Sequence, residues 1–201
     1  MVDSVSYRST ATAQRRQAIL QAALQSFLTK GYTDTTMEDI RQLSGASTGS
    51  IYHHFENKET LALTLHVEGR NDLNAQLLEA FVNKQPEEGI KALISTYFDW
   101  MARHVDLGRF MIQANSIEYL GVEVHAIHQA AEVLPMRIYA WLSPFIETGL
   151  VARYPRELYI PLIFGPSREL VRLWLRDRRE IDFSVISTSL ANVAWQTLCA
   201  P

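Results

Sequence analysis

The stretch Thr36–Lys58 reads TMEDIRQLSGASTGSIYHHFENK and predicts two short helices joined by a turn at Gly45. Thr36 comes just before the apolar pattern and Asp39 follows three residues later, so a hydroxyl and a carboxylate can both serve a helix that begins near Met37. Gly45 supplies the left-handed backbone conformation that commonly ends a helix. We expect the buried side of this helix to contain Met37, Ile40 and either Leu43 or Ser44.

The second helix of the pair carries small and polar residues on its predicted outer side. Ser47 is placed to cap this helix, and Ile51 and Phe55 lie four residues apart, so both face one side. The other sides hold Thr48, Gly49, Tyr52 and His53. One face can therefore pack against a core while the other enters the major groove of DNA, as in a helix-turn-helix.

About the first 65 residues resemble the tetracycline-repressor (TetR) family of bacterial transcription regulators. The resemblance rests on Phe27, Gly31, Thr36, Ile40, Gly45, Ser47, Ile51, Tyr52, Phe55, Lys58 and Leu61. It implies that Tyr52 and Lys58 grip DNA phosphates, because the family has a tyrosine in the recognition helix and a lysine opening the next helix. The family usually has a small residue at the position of Arg41. The chain departs from the family pattern there, and we expect Arg41 to lean outward towards the DNA.

These observations predict double-stranded DNA as a partner. The predicted DNA-binding residues are Thr36, Arg41, Ser47, Thr48, Gly49, Ser50, Tyr52, His53 and Lys58. Charge adds little to this prediction, because residues 1–58 carry six Lys and Arg against five Asp and Glu in a chain of net charge −3. Neutral donors and helix ends also contact phosphates, so local rather than overall basicity matters.

The remaining sequence predicts an all-α protein of about nine helices. An apolar stripe runs from Thr12 to Lys30 and ends at Gly31. A second long helical pattern begins near Lys58 and ends at Gln85-Pro86. Five more patterns follow, over Gly89–His104, about 107–119, about 122–147, Leu158–Leu175 and Phe183–Leu198. Pro161 and Gly165-Pro166 predict that the helix over Leu158–Leu175 is kinked or split. We expect a DNA-binding domain over 1–57 and an effector-binding and dimerisation domain over 58–201.

The last two helices carry more apolar surface than one edge of a bundle normally needs. A packed core explains such residues, and so does a homodimer interface, which the family resemblance favours. The predicted interface residues are Leu170, Trp174, Leu190, Val193 and Trp195. Two-fold pairing would place two recognition helices about one DNA turn (~34 Å) or a small multiple apart and would require a near-palindromic operator.

The family resemblance also implies a small-molecule effector site in the carboxy-terminal bundle. The candidate lining residues are Trp100, Phe110, Gln113, Glu118, Trp141 and Phe164. Ligand cavities are mostly apolar with few polar groups, so periodicity alone does not separate a cavity from a packed core. The sequence is therefore compatible with a ligand cavity and with a packed core, and no motif identifies the effector.

Enzymatic chemistry finds little support. Residues 45–49, GASTG, match the Gly-x-Ser-x-Gly elbow of serine hydrolases, but that motif needs a preceding strand and the segment before it has a helical pattern. His125, His128 and Glu132 share one helical face, although satisfied or solvated histidines explain them better than a metal site. We expect no catalytic residues, no metal and no cofactor.

Composition is that of an ordinary globular protein, with 47% hydrophobic and 20% charged residues in 201. One cysteine cannot form an intrachain disulfide, and the first sixteen residues hold no apolar run resembling a signal peptide, so a cytoplasmic location is expected. The leading function is a dimeric, ligand-responsive DNA-binding regulator, most simply a repressor. The alternative is a helical interaction or small-molecule-binding protein whose helix-turn-helix is structural and does not bind DNA.

Overall fold

Nine α-helices and one short 3-10 turn build the part of the chain that the computed structural model describes, residues 3–114, 124–177 and 182–200. The helices are α1 (Asp3–Lys30), α2 (Met37–Ser44), α3 (Thr48–His54), α4 (Lys58–Ala80), α5 (Pro86–Arg103), α6 (Val105–Ala114), α7 (Val124–Glu147), α8 (Tyr159–Asp177) and α9 (Phe183–Leu198), with the 3-10 turn over Arg156–Leu158 before α8. The prediction of an all-α fold is confirmed. None of the described helices is long and apolar enough to cross a lipid bilayer.

The chain groups into two compact units. The first contains the described residues of Met1–Glu68 and Phe110–Val124, and the second contains those of Gly69–Arg109 and His125–Pro201. Helix α4 is continuous from Lys58 to Ala80. The domain boundary after residue 57 stays a prediction.

In the first unit, α1 packs against α2 and α3. Helix α1 buries Ile19, Ala23 and Phe27, and the two short helices add the fully buried Ile40 and Ile51. Burial of such side chains contributes roughly 1.5–3 kcal/mol each, more than the intrinsic propensity of helices as short as α2 and α3 supplies. The tertiary packing of α1 therefore holds the two short helices in place.

The inner side of α2 differs in part from the expectation. Ile40 is fully buried and Met37 half-buried, but Leu43 is 52% exposed. Ser44 is the half-buried residue of the predicted alternatives, and its hydroxyl accepts a hydrogen bond from the N–H of Ala46 at 3.2 Å. Because α2 ends at Ser44, this hydroxyl serves the turn that follows.

In the second unit, α5 packs mainly against α9, and α8 packs against both. Helix α9 turns Ala191 and Ala194 towards its neighbours, and such small side chains let two helices approach closely. Gly89 of α5 lies directly under the ring of Trp141, so a Cβ atom at residue 89 would overlap that ring. The second unit thus depends on small residues at its closest contacts.

Two helix starts differ from the sequence prediction, and a predicted interruption takes a different form. Helix α1 begins at Asp3 rather than Thr12, and α5 begins at Pro86 rather than Gly89. Proline is well suited to a first helical position, where its missing N–H would have no helical partner. Helix α8 is not split: Pro161 is its third residue and also falls in the first turn, and Pro166 lies inside the helix without ending it.

Candidate nucleic-acid interface

The start of α2 is fixed by a reciprocal cap. The N–H of Asp39 donates to the hydroxyl of Thr36 at 3.2 Å, and the N–H of Thr36 donates to the carboxylate of Asp39 at 2.9 Å. Lys30 donates to the other oxygen of the same carboxylate at 2.6 Å. These bonds, first that of Lys30 and then that of Thr36, lower the pKa of Asp39 to about 2. The predicted cap is confirmed, and it also ties the end of α1 to α2.

The turn between α2 and α3 has the predicted geometry. Gly45 has φ 63° and ψ 13°, and its N–H donates to the carbonyl of Arg41 at 3.1 Å. The hydroxyl of Ser47 accepts a hydrogen bond from the N–H of Ser50 at 3.3 Å and so caps α3. Residues 45–49 therefore form a helix-to-helix turn rather than the strand-to-helix elbow of a hydrolase.

Helix α3 separates an inner from an outer face. Ile51 is 1% exposed, and Phe55, which follows the helix as its C-cap, is 3% exposed. The outer face, by contrast, is open at Thr48, Gly49, Tyr52 and His53, and Ser50 is half-buried. Of these, Tyr52 shows 54% of its surface. A helix that is anchored on one side and open on the other can enter a DNA groove.

Lys58, predicted to grip a phosphate, lies in a different environment. Its ammonium group donates to the carbonyl oxygens of Tyr32 at 2.9 Å, Thr33 at 2.9 Å and Thr35 at 3.1 Å. It also stands 4.7 Å from the centre of the Tyr32 ring. An ammonium group has three donors, and all three are used here. Lys58 thus holds the loop between α1 and α2, and a phosphate contact stays a prediction.

Arg41 lies at the surface in an ion pair within α2. Its guanidinium donates two hydrogen bonds to the carboxylate of Glu38, each at 2.7 Å. This pairing, assisted by a bond from Gln42, lowers the pKa of Glu38 to about 2. A DNA contact by Arg41 would have to share or replace the Glu38 partner, and it too stays a prediction.

Two arginines of α1 were missed by the sequence analysis. Arg16 places its guanidinium 5.5 Å from the centre of the Phe55 ring, at the end of α3. Burial, followed by the charges of His53, Arg16 and Arg15, lowers the pKa of His54. The basic groups of α1 therefore lie near the end of α3. The only sequence signal was the adjacent pair Arg15-Arg16, which is about 40 residues away from α3 in the chain.

The predicted effector-pocket residues are divided between the two units. Trp100 is fully buried and donates to Asp72 at 2.6 Å, while Trp141 packs on Phe81 with ring centres 4.8 Å apart. Phe164 is also buried in the second unit, whereas Phe110 and the exposed Gln113 belong to the first unit. Glu118 lies outside the described residues. All four aromatic side chains make ring contacts with neighbouring side chains, and their role in lining an effector site stays a prediction.

A surface groove of about 610 Å³ lies in the second unit beside Pro161. It is lined by Glu132, Pro135, Met136, Tyr139, Arg156, Glu157, Tyr159, Ile160 and Pro161. Arg156 stands 5.1 Å from the centre of the Tyr139 ring. Pro161 is one of the prolines from which the sequence predicted an interruption of helix α8. Among the residues whose side chains are described, no group of His, Cys, Asp or Glu could hold a metal, and the side chains of His125 and His128 lie outside that set.

The residues predicted for dimerisation lie at or near the surface. Leu170, Trp174, Leu190 and Trp195 are half-buried, and Val193 is 48% exposed. The buried face of α9 is formed instead by Ser187, Ala191, Ala194 and Leu198. The apolar side chains of the other face therefore have no complete cover within the described chain, and the interface stays a prediction.

The amino-terminal part of the chain matches a known protein family. Residues 19–65 match the model of the bacterial regulatory proteins of the tetR family. The chain is 30% identical over 105 residues to the transcriptional repressor AcnR of Corynebacterium diphtheriae, an alignment that covers 51% of this chain and about half (53%) of AcnR. It is 25% identical over 185 residues to the transcriptional activator FasR of Mycolicibacterium smegmatis, covering 90% of this chain and 82% of FasR.

A solved structure shares the fold over nearly the whole chain. A TetR family regulator from Marinobacter aquaeolei VT8 superposes with a TM-score of 0.77 at 21% identity, covering 97% of this chain and all of that one. The matched segment contains the α2 cap, the Gly45 turn and the open face of α3 described above. The segment with this geometry, residues 19–65, is therefore the part of the chain that matches the tetR family of bacterial regulatory proteins.

Proposed function

We propose that this protein is a homodimeric transcription regulator that binds a near-palindromic operator through α3 and releases it when a small molecule binds the carboxy-terminal bundle. The observation that carries the proposal is the two-sided character of α3, with Ile51 and Phe55 buried and Thr48, Gly49 and Tyr52 exposed. The protein acts by binding rather than by catalysis, and it acts in the cytoplasm, where the DNA is.

The geometry favours DNA over a purely structural role for the helix pair. A structural helix-turn-helix needs its inner face only, whereas here the outer face combines a hydroxyl, a phenol and an imidazole with the bare backbone of Gly49. Tyrosine, threonine and histidine side chains can donate hydrogen bonds to phosphates or base edges. The nearby charge of Arg15 adds local positive potential that the overall composition lacks, whereas Arg16 is ion-paired with Glu68.

Selection of bound sequences from a random duplex pool tests the DNA-binding role. We expect recovery of an inverted repeat whose half-sites are one helical turn, or a small multiple of it, apart. A variant with Tyr52→Ala and Thr48→Ala keeps the buried residues of α3 and serves as the matched control. Failure to enrich any sequence at low salt would support the alternative, a helical interaction or small-molecule-binding protein.

Dimerisation through α8 and α9 explains their apolar surface. Val185 and Val193 on α9 are 62% and 48% exposed, and Trp174 of α8 packs on Phe183 with ring centres 4.6 Å apart while remaining half-buried. A C2 interface would cover this surface with the same surface of a second copy. Sedimentation of the purified chain measures the oligomeric state directly.

Repression is the simplest mode of action for such a dimer, because occupancy of an operator can exclude the polymerase without further contacts. The relative AcnR is a repressor and the relative FasR is an activator, so the family name alone does not distinguish repression from activation. A reporter gene under the selected operator decides it. Lower expression in the presence of the protein, reversed by an effector, supports repression.

A further inference from the structure

Two arginines of the second unit, like several others there, are in none of the ion pairs of the described residues, and one of the two is largely buried. Arg70 lies on α4 and Arg168 on α8. The ion pairs within residues 3–114, 124–177 and 182–200 all involve other side chains. The Nε group of Arg70 is buried and donates to no protein acceptor. An unpaired guanidinium that is partly withdrawn from water costs stability, so its retention calls for an explanation.

The two charges influence each other. Burial, followed by the charge of Arg168, lowers the pKa of Arg70. A guanidinium nevertheless stays protonated in proteins, so both groups remain positive. Two like charges without a counter-ion repel one another and create a local positive potential. Such an arrangement is stabilised by an anion that both guanidinium groups can reach.

Aromatic and hydroxyl side chains lie beside Arg168. The guanidinium of Arg168 lies 5.6 Å from the centre of the Phe164 ring, and the Phe164 ring lies 5.8 Å from that of Tyr97. Burial raises the pKa of Tyr97 to about 12, so its hydroxyl stays neutral and supplies no countercharge. Ser167 is 1% exposed, and its hydroxyl has no hydrogen-bond partner. Ser167 follows Phe164 by three residues and so lies on the same side of α8.

We propose that Arg70 and Arg168 form an anion-binding site that takes the carboxylate or phosphate group of an amphipathic effector, with the hydroxyl groups of Tyr97 and Ser167 as further donors. The fork of a guanidinium matches both of these anions. The ring of Phe164 offers an apolar surface to the neighbouring part of the ligand. This inference rests on the proposed function, because it assigns a chemical class to the effector.

Direct binding of defined probes to the full-length chain tests the site without DNA. Isothermal titration compares octanoate, octyl phosphate and octanol, which share an alkyl chain and differ in head group. The variants are Arg70→Gln and Arg168→Gln. Arg153→Gln is the matched control, because Arg153 is an exposed arginine of the same unit outside every ion pair of the described residues.

We expect at least one of the two anions to bind the unaltered chain and Arg153→Gln with equal affinity, and octanol to bind at least about tenfold more weakly than that anion. Arg70→Gln and Arg168→Gln should each lower the affinity for the anion by about tenfold or more, since a hydrogen bond to a charged group is lost. Preference for octanoate or for octyl phosphate tells a carboxylate effector from a phosphate one. Because Arg70→Gln removes an unpaired charge, its unfolding temperature without ligand should not fall.

Three results would overturn the proposal. The first is equal binding of the anion to the unaltered chain and both variants, and the second is that neither anion binds. The third is a weaker dimer in Arg70→Gln or Arg168→Gln with anion binding unchanged, which would make an acidic residue of a second copy the counter-ion. Should Arg70→Gln not fold, the exposed Arg168 decides the matter alone. None of these readouts uses DNA, so a failure here is distinct from a failure to bind an operator.

Discussion

The ammonium group of Lys58 joins α4 to the loop between α1 and α2 through three carbonyl oxygens. Lys58→Met keeps the length of the side chain and removes all three hydrogen bonds, leaving partly buried carbonyls without a donor. We expect the free energy of unfolding to fall by about 1–3 kcal/mol. Lys91→Met, which breaks only a surface ion pair with Glu87, should cost less than about 1 kcal/mol in the same denaturant titration. Equal losses in the two variants would refute the tethering role.

Salt dependence of operator binding separates this tether from a phosphate contact at the same residue. If Lys58 also neutralises a phosphate, Lys58→Met should reduce the slope of log affinity against log salt by about one unit. A folded variant with an unchanged slope would assign Lys58 to the loop alone. The slope is measured by titrating operator DNA at several salt concentrations.

We expect some exposed residues of α3 to position the protein on the DNA backbone and others to recognise particular bases. Tyr52→Phe should weaken all duplexes alike, because it removes a proposed phosphate contact. Thr48→Ala and His53→Ala should each lose about 1–3 kcal/mol of discrimination at particular base pairs if these side chains reach base edges. Affinities for the selected operator and for single-base variants measure this. If all three substitutions lowered the affinity for every duplex equally, Thr48 and His53 would not be base-contacting residues.

Asp39 makes the cap of α2 sensitive to acid. Its pKa in the folded chain is about 2, below the ordinary value of 3.8, because Lys30 and Thr36 donate to the carboxylate. A group with a depressed pKa stabilises the fold above its ordinary pKa, and that contribution is lost as pH falls towards 2. Asp39→Asn should therefore unfold at a lower temperature than the unaltered chain near pH 7, with the difference vanishing near pH 2. A constant difference across that range would show that charge plays no part.

The capping residues could be predicted from the sequence, whereas the contacts of Lys58 could not. Thr36, Gly45 and Ser47 act on backbone groups within three or four residues, so their roles follow from local pattern. Lys58 bonds to carbonyls that lie 23 to 26 residues earlier, and such a contact depends on tertiary packing. Arg15 and Arg16 were missed for the same reason.

At the scale of the helix, α9 carries two apolar faces, of which only one is covered by the described chain. Val193→Arg changes an exposed residue on the uncovered face, so we expect the monomer to stay folded and the dimer to dissociate. Val82→Arg is the control, because Val82 is a 55% exposed valine after the end of α4. Sedimentation and operator affinity report the result. A Val193→Arg protein that remains dimeric would move the interface away from this face.

Apolar periodicity predicted the number and order of the helices. It predicted their ends only where the sequence also contained a capping residue. Helix α9 begins and ends where expected, at Phe183 and Leu198. Helix α8 is continuous although its sequence predicted a kink or a split. Pro161 falls in the first turn, where no helical donor is lost, and Pro166 lies inside the helix without ending it. The sequence pattern alone does not show whether an interior proline ends a helix. The same limit applies to the aromatic residues, whose pattern fits a core and a cavity equally.

For the whole molecule, regulation requires that an effector discriminate between conformations that bind DNA well and poorly. Linkage then predicts that operator DNA weakens effector binding by the same factor by which the effector weakens DNA binding. Titration of the effector with and without saturating operator measures how far DNA weakens effector binding. Titration of the operator with and without effector measures how far the effector weakens DNA binding. A compound that binds without changing operator affinity is not an effector, even if it raises the unfolding temperature.

The stacking of Phe27 on Phe110, with ring centres 5.6 Å apart and planes inclined by 17°, has a consequence for biosynthesis. The ribosome makes Phe110 roughly 80 residues after Phe27, which corresponds to about 4–16 s at typical rates of synthesis. The amino-terminal unit therefore remains incomplete while much of the second unit's α4 and all of α5 are translated. A nascent chain halted before α6, or a fragment cut after Glu68, exposes the face of Phe27 that this stack covers.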